Sequence, residues 1–397
     1  MYIWQQSDWC STTLTDTSSG PHFSWRAESL KPQLESIAAH QAGLLGEASE
    51  QLPEEGLQAH LDALVQTALR TSEIEGESLN VGSLRSSVVR KLGLQQAGFV
   101  AGLKAAPVTA QTESLIDLLV EATTDWQAPL SLPVLLRWQA SLFAEPSLLH
   151  EIRIGELRGF EPMQVVSGRV DNPTVHFEAP PREQLEADLA RFVYWFNQGD
   201  IDLNPLLRAG IAHLWLVTLH PFDDGNGRVT RAVTDRALAQ AEANSVLFYS
   251  LSAAIMARRS EYYTQLEAAQ KGDLDITDWL SWFLSVLDDA LVQGKQRFAR
   301  LLSKTQFWQR HSQTPLGERQ IKVLNRLLDG IGEEFLEGIK ASQYKGMAGV
   351  SKATATRDLS ELVAKGCLVA LTGGGRSSRY GLNFVWADVD TGFMVER

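Results

Sequence analysis

The stretch HPFDDGNGRVTR, from His220 to Arg231, separates two patterns that are typical of helices. The apolar run IDLNPLLRAGIAHLWLVTL ends immediately before it, and the run RVTRAVTDRALAQAEA begins inside it, at Arg228. Apolar residues recur at helical spacing in both runs. The sequence therefore predicts a helix, a polar loop and a second helix, with a histidine, two aspartates, two glycines and two arginines at the junction.

The second half of this stretch has the composition of an anion-binding site. Gly225 and Gly227 allow a ligand to approach the main chain closely, and the backbone N–H groups at the start of a helix point toward such a ligand. Asn226 adds a side-chain donor. Arg228 and Arg231, three residues apart on one helical face, add two guanidinium groups that suit phosphate oxygens.

Asp224 and His220 have other expected roles. A carboxylate beside a phosphate is repulsive unless a divalent cation lies between them, so we interpret Asp224 as a Mg²⁺ ligand. His220 is the only residue of the loop that accepts a proton near neutral pH, which makes it the candidate general base. The alternative interpretation is that His220 and Pro221 only cap the first helix and that the glycines form an ordinary turn.

These twelve residues resemble the signature of Fic-domain proteins, and they match every fixed position of that signature. The resemblance implies a mostly α-helical fold, namely a Fic-type helical bundle with a small β-hairpin flap. It also implies transfer of AMP from ATP to a hydroxyl group of a protein side chain. In that reaction His220 is the catalytic residue, Asp224 holds Mg²⁺, and Arg228 and Arg231 hold the β- and γ-phosphates.

The segment TSEIEG, at the end of a predicted helix from Leu57 to Thr71, matches a second Fic pattern, [ST]-x-x-x-E-[GN]. It is similar to the inhibitory helix of Fic proteins that restrain their own activity. The resemblance implies that Glu75 pairs with Arg231 and displaces the γ-phosphate of ATP. A carboxylate and a phosphate compete for the same guanidinium group. The alternative is a surface helix that stops at Gly76.

A β-hairpin is predicted between residues 150 and 181, where MQVVSGRV and TVHF alternate with turn residues. In Fic proteins the segment at this distance before the signature forms the flap that holds the target by edge pairing. The resemblance places the flap at Gln164, Val165 and Val166. The alternative is a plain surface hairpin.

The helix predicted from Arg258 to Asp273 resembles the one that lines the adenine pocket in Fic proteins. The resemblance makes Tyr262 and Gln270 candidate nucleotide contacts. Gln270 departs from the asparagine of some relatives, which leaves base recognition open. Tyrosines at helical spacing also occur in cores, so a packing role for Tyr262 stays open.

The C-terminal part of the chain predicts three helices and two short strands, the pattern of a winged helix-turn-helix domain. Ser351 caps the predicted recognition helix, and residues 373–379 form the predicted wing. Between Lys340 and Arg379 there are seven cations and two acids. This local excess favours DNA contact. A protein–protein module of the same shape is the alternative.

Composition limits the other possibilities. The chain has 397 residues, 44% of them hydrophobic, a net charge of −12 and two cysteines, Cys10 and Cys367. The length predicts two or three domains, and the negative charge argues against general nucleic-acid or membrane binding by the whole molecule. The sparse cysteines and the lack of a signal-peptide or membrane-spanning pattern predict a cytoplasmic protein.

The sequence therefore predicts an ATP- and Mg²⁺-dependent protein adenylylyltransferase that modifies a target protein or itself, restrained by an internal Glu–Arg pair. The expected divisions are an N-terminal helical region (1–110), a catalytic domain (111–294), a linker helix (295–315) and a winged-helix domain (316–397). Two rival functions stay open: a DNA-binding transcriptional regulator with a self-modifying Fic domain, and an enzyme that removes AMP. The target protein and homodimer formation also stay open.

Overall fold

The computed structural model describes most of the chain. Its described residues are 2–6, 9, 21–49, 53–92, 107–143, 152–169, 172–198, 202–244, 246–330, 335, 337–371 and 378–383. The chain divides into two compact units, Met1–Gly294 and Lys295–Arg397. The larger unit contains the candidate site.

The larger unit is mostly helical, as expected. A short 3-10 helix at Ile3–Gln5 precedes its α-helices, which are α1 (Ala27–Ser49), α2 (Pro53–Ile74), α3 (Val81–Lys91), α4 (Ala110–Thr124), α5 (Leu132–Ser141), α6 (Arg182–Gln198), α7 (Pro205–Leu219), α8 (Asn226–Glu242), α9 (Leu251–Ala257), α10 (Arg259–Lys271) and the first half of α11 (Thr277–Arg310). Helix α3 begins after an Asn80 cap, whose side chain accepts a 2.9 Å hydrogen bond from the Ser83 N–H.

Helix α7 lies in the middle of this unit. Every residue from Ala209 to Leu219 is buried, as is typical of a helix that is apolar on all sides. Gly210 allows α11 to approach, because a Cβ at this position would lie 3.0 Å from atoms of Leu280 and Phe283. The indole of Trp279 also donates a 2.9 Å hydrogen bond to the Gly210 carbonyl. Helix α7 thus provides a rigid base for the loop that follows it.

Helix α8 begins at Asn226, two residues before the predicted start at Arg228. Gly225 is its N-cap residue, with φ of 88°. The prediction was wrong because the glycines were assigned wholly to the loop, whereas a left-handed glycine in front of the helix lets the next turn form immediately. As a consequence Gly227 lies in the first helical turn.

The predicted hairpin is present. Strand β1, Gln164–Arg169, pairs in antiparallel fashion with β2, Asn172–Glu178. The three residues predicted for the flap, Gln164, Val165 and Val166, are the first three of β1. The pairing has an irregularity between Val165 and Val166, and Val166 is half exposed. Their role in holding a target stays a prediction.

The smaller unit begins within α11, a single helix of 34 residues, so the expected separate linker helix is the second half of α11. It continues with α12 (Glu318–Asp329), α13 (Ala341–Ala348), α14 (Lys352–Ala364), β3 (Leu368–Ala370) and β4 (Tyr380–Leu382). Strands β3 and β4 pair in antiparallel fashion, and Ser351 caps α14 by accepting a 3.2 Å hydrogen bond from the Thr354 N–H. Most of the predicted wing, residues 373–377, lies outside the described residues.

Buried side chains from all three short helices of this unit form one core, which includes Leu324, Leu359 and Leu368. The order of elements agrees with the winged-helix prediction, but the assignment to that fold stays a prediction. Throughout the described part of the chain, none of the helices combines the length and apolarity that a membrane span needs.

Candidate active site

His220 ends helix α7 in a left-handed conformation, with φ of 47° and ψ of 60°. Such a conformation is unfavourable for a residue with a side chain, by roughly 1–2 kcal/mol. The cost is offset by two main-chain contacts: the His220 N–H donates to the Leu216 carbonyl at 3.2 Å, and its own carbonyl accepts a 2.9 Å hydrogen bond from Nε of Arg158. The imidazole is thereby held at a fixed place at the end of the helix.

The imidazole of His220 is prepared to accept a proton. Its Nδ1 lies 3.2 Å from the Val217 carbonyl. A carbonyl only accepts, so in the neutral ring Nδ1 carries the proton and Nε2 has a free lone pair. Burial lowers the pKa of His220, and the carboxylates of Glu75 and Asp224 only partly counteract this. The ring is therefore neutral at physiological pH.

The loop after His220 is closed by Asn226. Its Oδ1 accepts a 2.9 Å hydrogen bond from the Phe222 N–H, and its Nδ2 donates a 2.8 Å hydrogen bond to the Phe222 carbonyl. One of the two N–H donors of this amide is used by the buried backbone of Phe222, so only the second could reach an anion; the role of Asn226 as a donor to the anion site stays a prediction. The donors that remain are the main-chain N–H groups of the first turn of α8.

Gly227 lies where α8 contacts the segment that follows α2. A Cβ at this position would collide with the Oε1 atom of Glu75 and would lie 3.0 Å from Nη1 of Arg231. The carboxylate of Glu75 therefore lies directly against the first turn of α8. An anion at this place benefits from the positive end of the helix dipole and from the unpaired N–H groups.

Arg231 is 1% exposed and makes three contacts with the α2 segment. Nη2 donates to Glu75 Oε1 at 2.7 Å and to the Thr71 carbonyl at 2.9 Å, and Nε donates to Thr71 Oγ1 at 2.7 Å. Although burial disfavours both charges, the ion pair dominates: it holds the pKa of Glu75 below and the pKa of Arg231 above their ordinary values. The structure thus brings together the Glu75–Arg231 pair expected from the sequence.

One donor of Arg231 is left over. Its Nη1 atom is buried and has no hydrogen-bond partner among the residues that the structure describes. This Nη1 atom and the Glu75 carboxylate both lie beside Gly227. A buried, unsatisfied guanidinium N–H costs free energy, so this atom marks a position where a further anionic oxygen is favourable.

Arg228 is 4% exposed and is paired with an acid that sequence analysis missed. Its Nη1 lies 2.6 Å from Oε1 of Glu77, and its Nη2 lies 3.7 Å from Oδ1 of Asp224. Its guanidinium group also lies over the ring of Phe143, 5.5 Å from the centroid. No local sequence signal marks Glu77, because its partner Arg228 lies 151 residues away.

The two aspartates of the signature have different environments. Asp223 accepts hydrogen bonds from the N–H groups of Arg153 at 3.1 Å and Gly159 at 3.3 Å, so it holds the segment before the hairpin. The Asp224 side chain is 53% exposed and accepts from the Gly225 N–H. The described residues contain no cluster of three or more acids, histidines or cysteines that could hold a metal ion alone. The role of Asp224 as a Mg²⁺ ligand stays a prediction.

Two buried residues that sequence analysis did not assign to the site position its main chain. Arg158 donates from its backbone N–H to the Pro221 carbonyl at 2.9 Å and from Nη2 to the Pro180 carbonyl at 2.5 Å. Gln139, on α5, donates to the Asp224 carbonyl at 3.3 Å and accepts from the Gly155 N–H at 2.6 Å. They connect the loop to elements far away in the sequence, which no local pattern reveals.

The two candidate adenine contacts lie in the core. Tyr262 is 2% exposed, and its hydroxyl is 2.9 Å from Nε2 of the buried His213. Its ring packs between α7 and α11, against His213 and Trp282, which agrees with the packing role that the sequence left open; a nucleotide contact by Tyr262 stays a prediction. Gln270 is also buried and donates to Thr218 Oγ1 at 3.3 Å. Instead Tyr263 faces the site, where its hydroxyl donates to the Ile74 carbonyl at 3.1 Å.

Two regions of the chain match known family models. Residues 129–238, which contain α5 to α8 and the hairpin, match the model of the Fic/DOC family. This part of the chain is similar to the Fic/DOC family. Residues 2–94, which contain the α2 segment and Glu75, match a different model, described as a domain of unknown function (DUF4172). The ion pair between Glu75 and Arg231 therefore joins two regions of the chain that match different family models.

The curated relatives include the protein adenylyltransferase fic-1 of Caenorhabditis elegans, 32% identical over 114 residues, which are 28% of this chain and 21% of that protein. Protein adenylyltransferase Fic of Drosophila willistoni is 29% identical over 164 residues, which are 40% of this chain and 30% of that protein. The chain thus spans less than a third of the length of these relatives.

Two solved structures are similar to this chain. A Fic family protein from Desulfovibrio desulfuricans G20 has a TM-score of 0.49 and 19% identity, with 88% of this chain and 96% of that chain covered. Fic-1 from Caenorhabditis elegans (residues 134–508) also has a TM-score of 0.49 and 19% identity, with 70% and 75% covered.

We predict that Asn226→Ala lowers the free energy of unfolding by about 1–3 kcal/mol, because it leaves the N–H and carbonyl of Phe222 buried and unpaired. The measurement is urea denaturation followed by tryptophan fluorescence. Asn80→Ala, which removes one exposed helix cap, is the control and should cost about 1 kcal/mol or less. Equal losses for the two variants would contradict the closing role of Asn226.

Proposed function

We propose that the protein transfers AMP from ATP to a hydroxyl group of a protein. The single observation that supports this best is the arrangement around the first turn of α8. A neutral imidazole at His220 lies at one end of the loop, and a glycine-lined helix start with an unpaired donor of the buried Arg231 lies at the other. Such a helix start is suited to phosphate groups. The relatives named protein adenylyltransferase agree with this chemistry.

In the proposed reaction His220 acts as the general base. Its Nε2 accepts the proton of a Ser, Thr or Tyr hydroxyl while that oxygen attacks the α-phosphate of ATP. The bond between the α-phosphate and the bridging oxygen breaks in line, and diphosphate leaves. The acceptor belongs to an extended segment that pairs with the exposed edge of the hairpin, on another protein or on a copy of this chain.

The remaining residues of the signature bind the phosphates. The N–H groups of Asn226, Gly227 and Arg228 stabilise charge that develops on the transferred phosphoryl group. Arg228 and Arg231 hold the β- and γ-phosphates. The half-exposed Asp224 suits Mg²⁺, which commonly takes one or two carboxylates together with phosphate oxygens and water and here would neutralise phosphate charge. This explains why one carboxylate outside any acidic cluster is sufficient.

We further propose that Glu75 restrains the reaction. Its carboxylate lies against Gly227 and uses one arm of Arg231, which is where the terminal phosphate of ATP would lie. Both anions cannot occupy this place, because they carry the same charge and need the same donors. Removing Glu75 should therefore allow the triphosphate to bind in the productive position.

We predict that Glu75→Gly raises the rate of AMP incorporation at least about tenfold, because a charge-assisted hydrogen bond of about 1.5–3 kcal/mol no longer competes with the phosphate. Adding His220→Ala should abolish incorporation. The measurement is transfer of label from α-labelled ATP in cell lysate, with the adduct located by mass spectrometry.

Glu73→Gln is the matched control for Glu75→Gly. Glu73 lies in the last turn of α2, two residues before Glu75, and pairs with Arg70 at 2.5 Å rather than with a signature arginine. The Glu73→Gln variant should leave the rate of AMP incorporation unchanged. Unaltered incorporation in Glu75→Gly would contradict the restraint, and a modified target that loses AMP only when Glu75 is present would favour removal of AMP instead.

The pH dependence follows from the lowered pKa of His220. The imidazole must be neutral to accept a proton, and its pKa lies below the ordinary value of 6.5. Glu75 raises this pKa, so Glu75→Gly lowers it further. We expect kcat/KM of Glu75→Gly to be constant above pH 7 and to fall only below pH 6.5. A phosphate group itself titrates at about pH 6, which can alter ATP binding in this range. The control is therefore the ATP affinity of His220→Ala, measured across the same pH range. An acid limb centred above 6.5, after this correction, would contradict a buried neutral base.

A second candidate function, DNA binding by the smaller unit, is favoured by the surface of α14. Lys352, Thr356 and Arg357 are exposed near the start of this helix, and the Arg357 side chain is 67% exposed. In a helix-turn-helix protein the residues at the start of the recognition helix contact DNA. The smaller unit then directs the transferase to DNA-bound targets or regulates transcription itself.

We predict that the double variant Lys352→Gln/Arg357→Gln weakens retardation of duplex DNA in a gel-shift assay by at least about tenfold, since each phosphate contact releases counterions. Lys304→Gln/Lys322→Gln removes the same charge elsewhere in the unit and should have a smaller effect. Equal affinity of both variants and the unchanged protein, or no retardation at all, would favour a protein–protein module.

A further inference from the structure

Glu77 is the second acid of the segment after α2, and it contacts the arginine that Glu75 does not. Its Oε1 lies 2.6 Å from Nη1 of Arg228, and its side chain is 34% exposed. Glu75 lies 2.7 Å from Nη2 of Arg231 and is 31% exposed. The two signature arginines are therefore each paired with a different carboxylate of the same short segment.

The backbone after α2 explains why both carboxylates reach their partners. Gly76 has φ of 84°. The Gly76 N–H donates to the Glu73 carbonyl at 3.0 Å, and the Glu77 N–H donates to the Ser72 carbonyl at 2.9 Å. This pair of hydrogen bonds is the Schellman motif, in which the residue after the glycine usually makes a hydrophobic contact. Here that residue is a glutamate, and it contacts a buried arginine.

Arg228 is held in the position that Glu77 requires. Its guanidinium group lies over the ring of Phe143 at 5.5 Å, and its Nε is buried without a hydrogen-bond partner among the described residues. A buried guanidinium with one arm paired to a partly exposed carboxylate resembles the arrangement at Arg231. An incoming phosphate can replace such a carboxylate, because it offers more acceptor oxygens to the same group.

We propose that Glu77 is a second restraining carboxylate, which occupies Arg228 until the triphosphate of the nucleotide displaces it. This inference rests on the proposed function, since it assigns the β-phosphate to Arg228. Glu75 and Glu77 are joined through one cap, so a movement of the backbone at Gly76 releases both arginines together. The segment then excludes a triphosphate at two positions, whereas a nucleotide without β- and γ-phosphates does not compete with either carboxylate.

The test compares four full-length proteins: the unchanged chain, Glu75→Gln, Glu77→Gln and the double variant. The binding of ATP with Mg²⁺ is measured by calorimetry, and the binding of AMP under the same conditions reports the part of the site that both nucleotides share. AMP transfer from labelled ATP is measured in parallel. Glu73→Gln, in the last turn of α2, is the control for loss of a nearby negative charge. Melting temperatures verify that each variant is folded.

We expect Glu77→Gln to bind ATP about three- to tenfold more tightly than the unchanged chain, as expected for a partly exposed pair, with AMP affinity unaltered. The double variant should bind ATP more tightly than either single variant and should have the highest rate of transfer. Unaltered or weaker ATP binding in Glu77→Gln, together with higher transfer in Glu75→Gln, would overturn the role of Glu77 and leave the proposed function intact.

Two other outcomes are also decisive. If Glu77→Gln lowers transfer in the Glu75→Gln background without altering ATP affinity, then Glu77 positions Arg228 for the reaction and the restraining role is overturned. If none of the four proteins binds ATP, the proposed function fails, and the role of Glu77 fails with it.

Discussion

The structure of the site depends on one constraint: the guanidinium group of Arg231 is 1% exposed and must have an anion beside it. A buried charge without a partner costs several kcal/mol. The position next to Gly227 therefore strongly favours a negatively charged group. In this structure the Glu75 carboxylate fulfils the requirement. A phosphate could fulfil it equally well. In the proposed function, the same buried charge would therefore stabilise the restrained state and would also favour binding of the phosphate that ends the restraint.

This constraint also explains the distribution of the small residues. Gly227 leaves room for an anionic oxygen of either origin, because a Cβ there would collide with the Glu75 carboxylate. Gly225, at φ of 88°, lets α8 start immediately after the loop, so that its first N–H groups face the same place. Gly76, at φ of 84°, ends α2 so that Glu75 and Glu77 diverge toward separate arginines. Each glycine therefore serves the placement of an anion.

The sequence was sufficient where the chemistry is local or follows a recognised pattern. The helix–loop–helix, the hairpin and the pairing of Glu75 with Arg231 were predicted and are present. The sequence was less informative about side chains whose contacts depend on distant partners. The amide of Asn226 is hydrogen-bonded to the backbone of Phe222, and Tyr262 is buried against His213. Glu77 was missed because its partner Arg228 is 151 residues away, and neither residue alone signals the contact.

If Glu75 and Glu77 restrain the reaction as proposed, the packing of α2 limits how these two carboxylates can leave the arginines. The face of this helix that includes Leu61, Leu64 and Leu69 is buried, and removing such residues from a core costs about 1.5–3 kcal/mol for each side chain. Dissociation of the whole helix would therefore cost far more than the two ion pairs that it carries. Beyond Ile74 the segment is held by the cap hydrogen bonds and by these ion pairs. Release consequently requires rotation of the two glutamate side chains, or a small movement at Gly76, while α2 stays packed in place. A nucleotide that supplies its own anions can drive this change without unfolding any part of the domain.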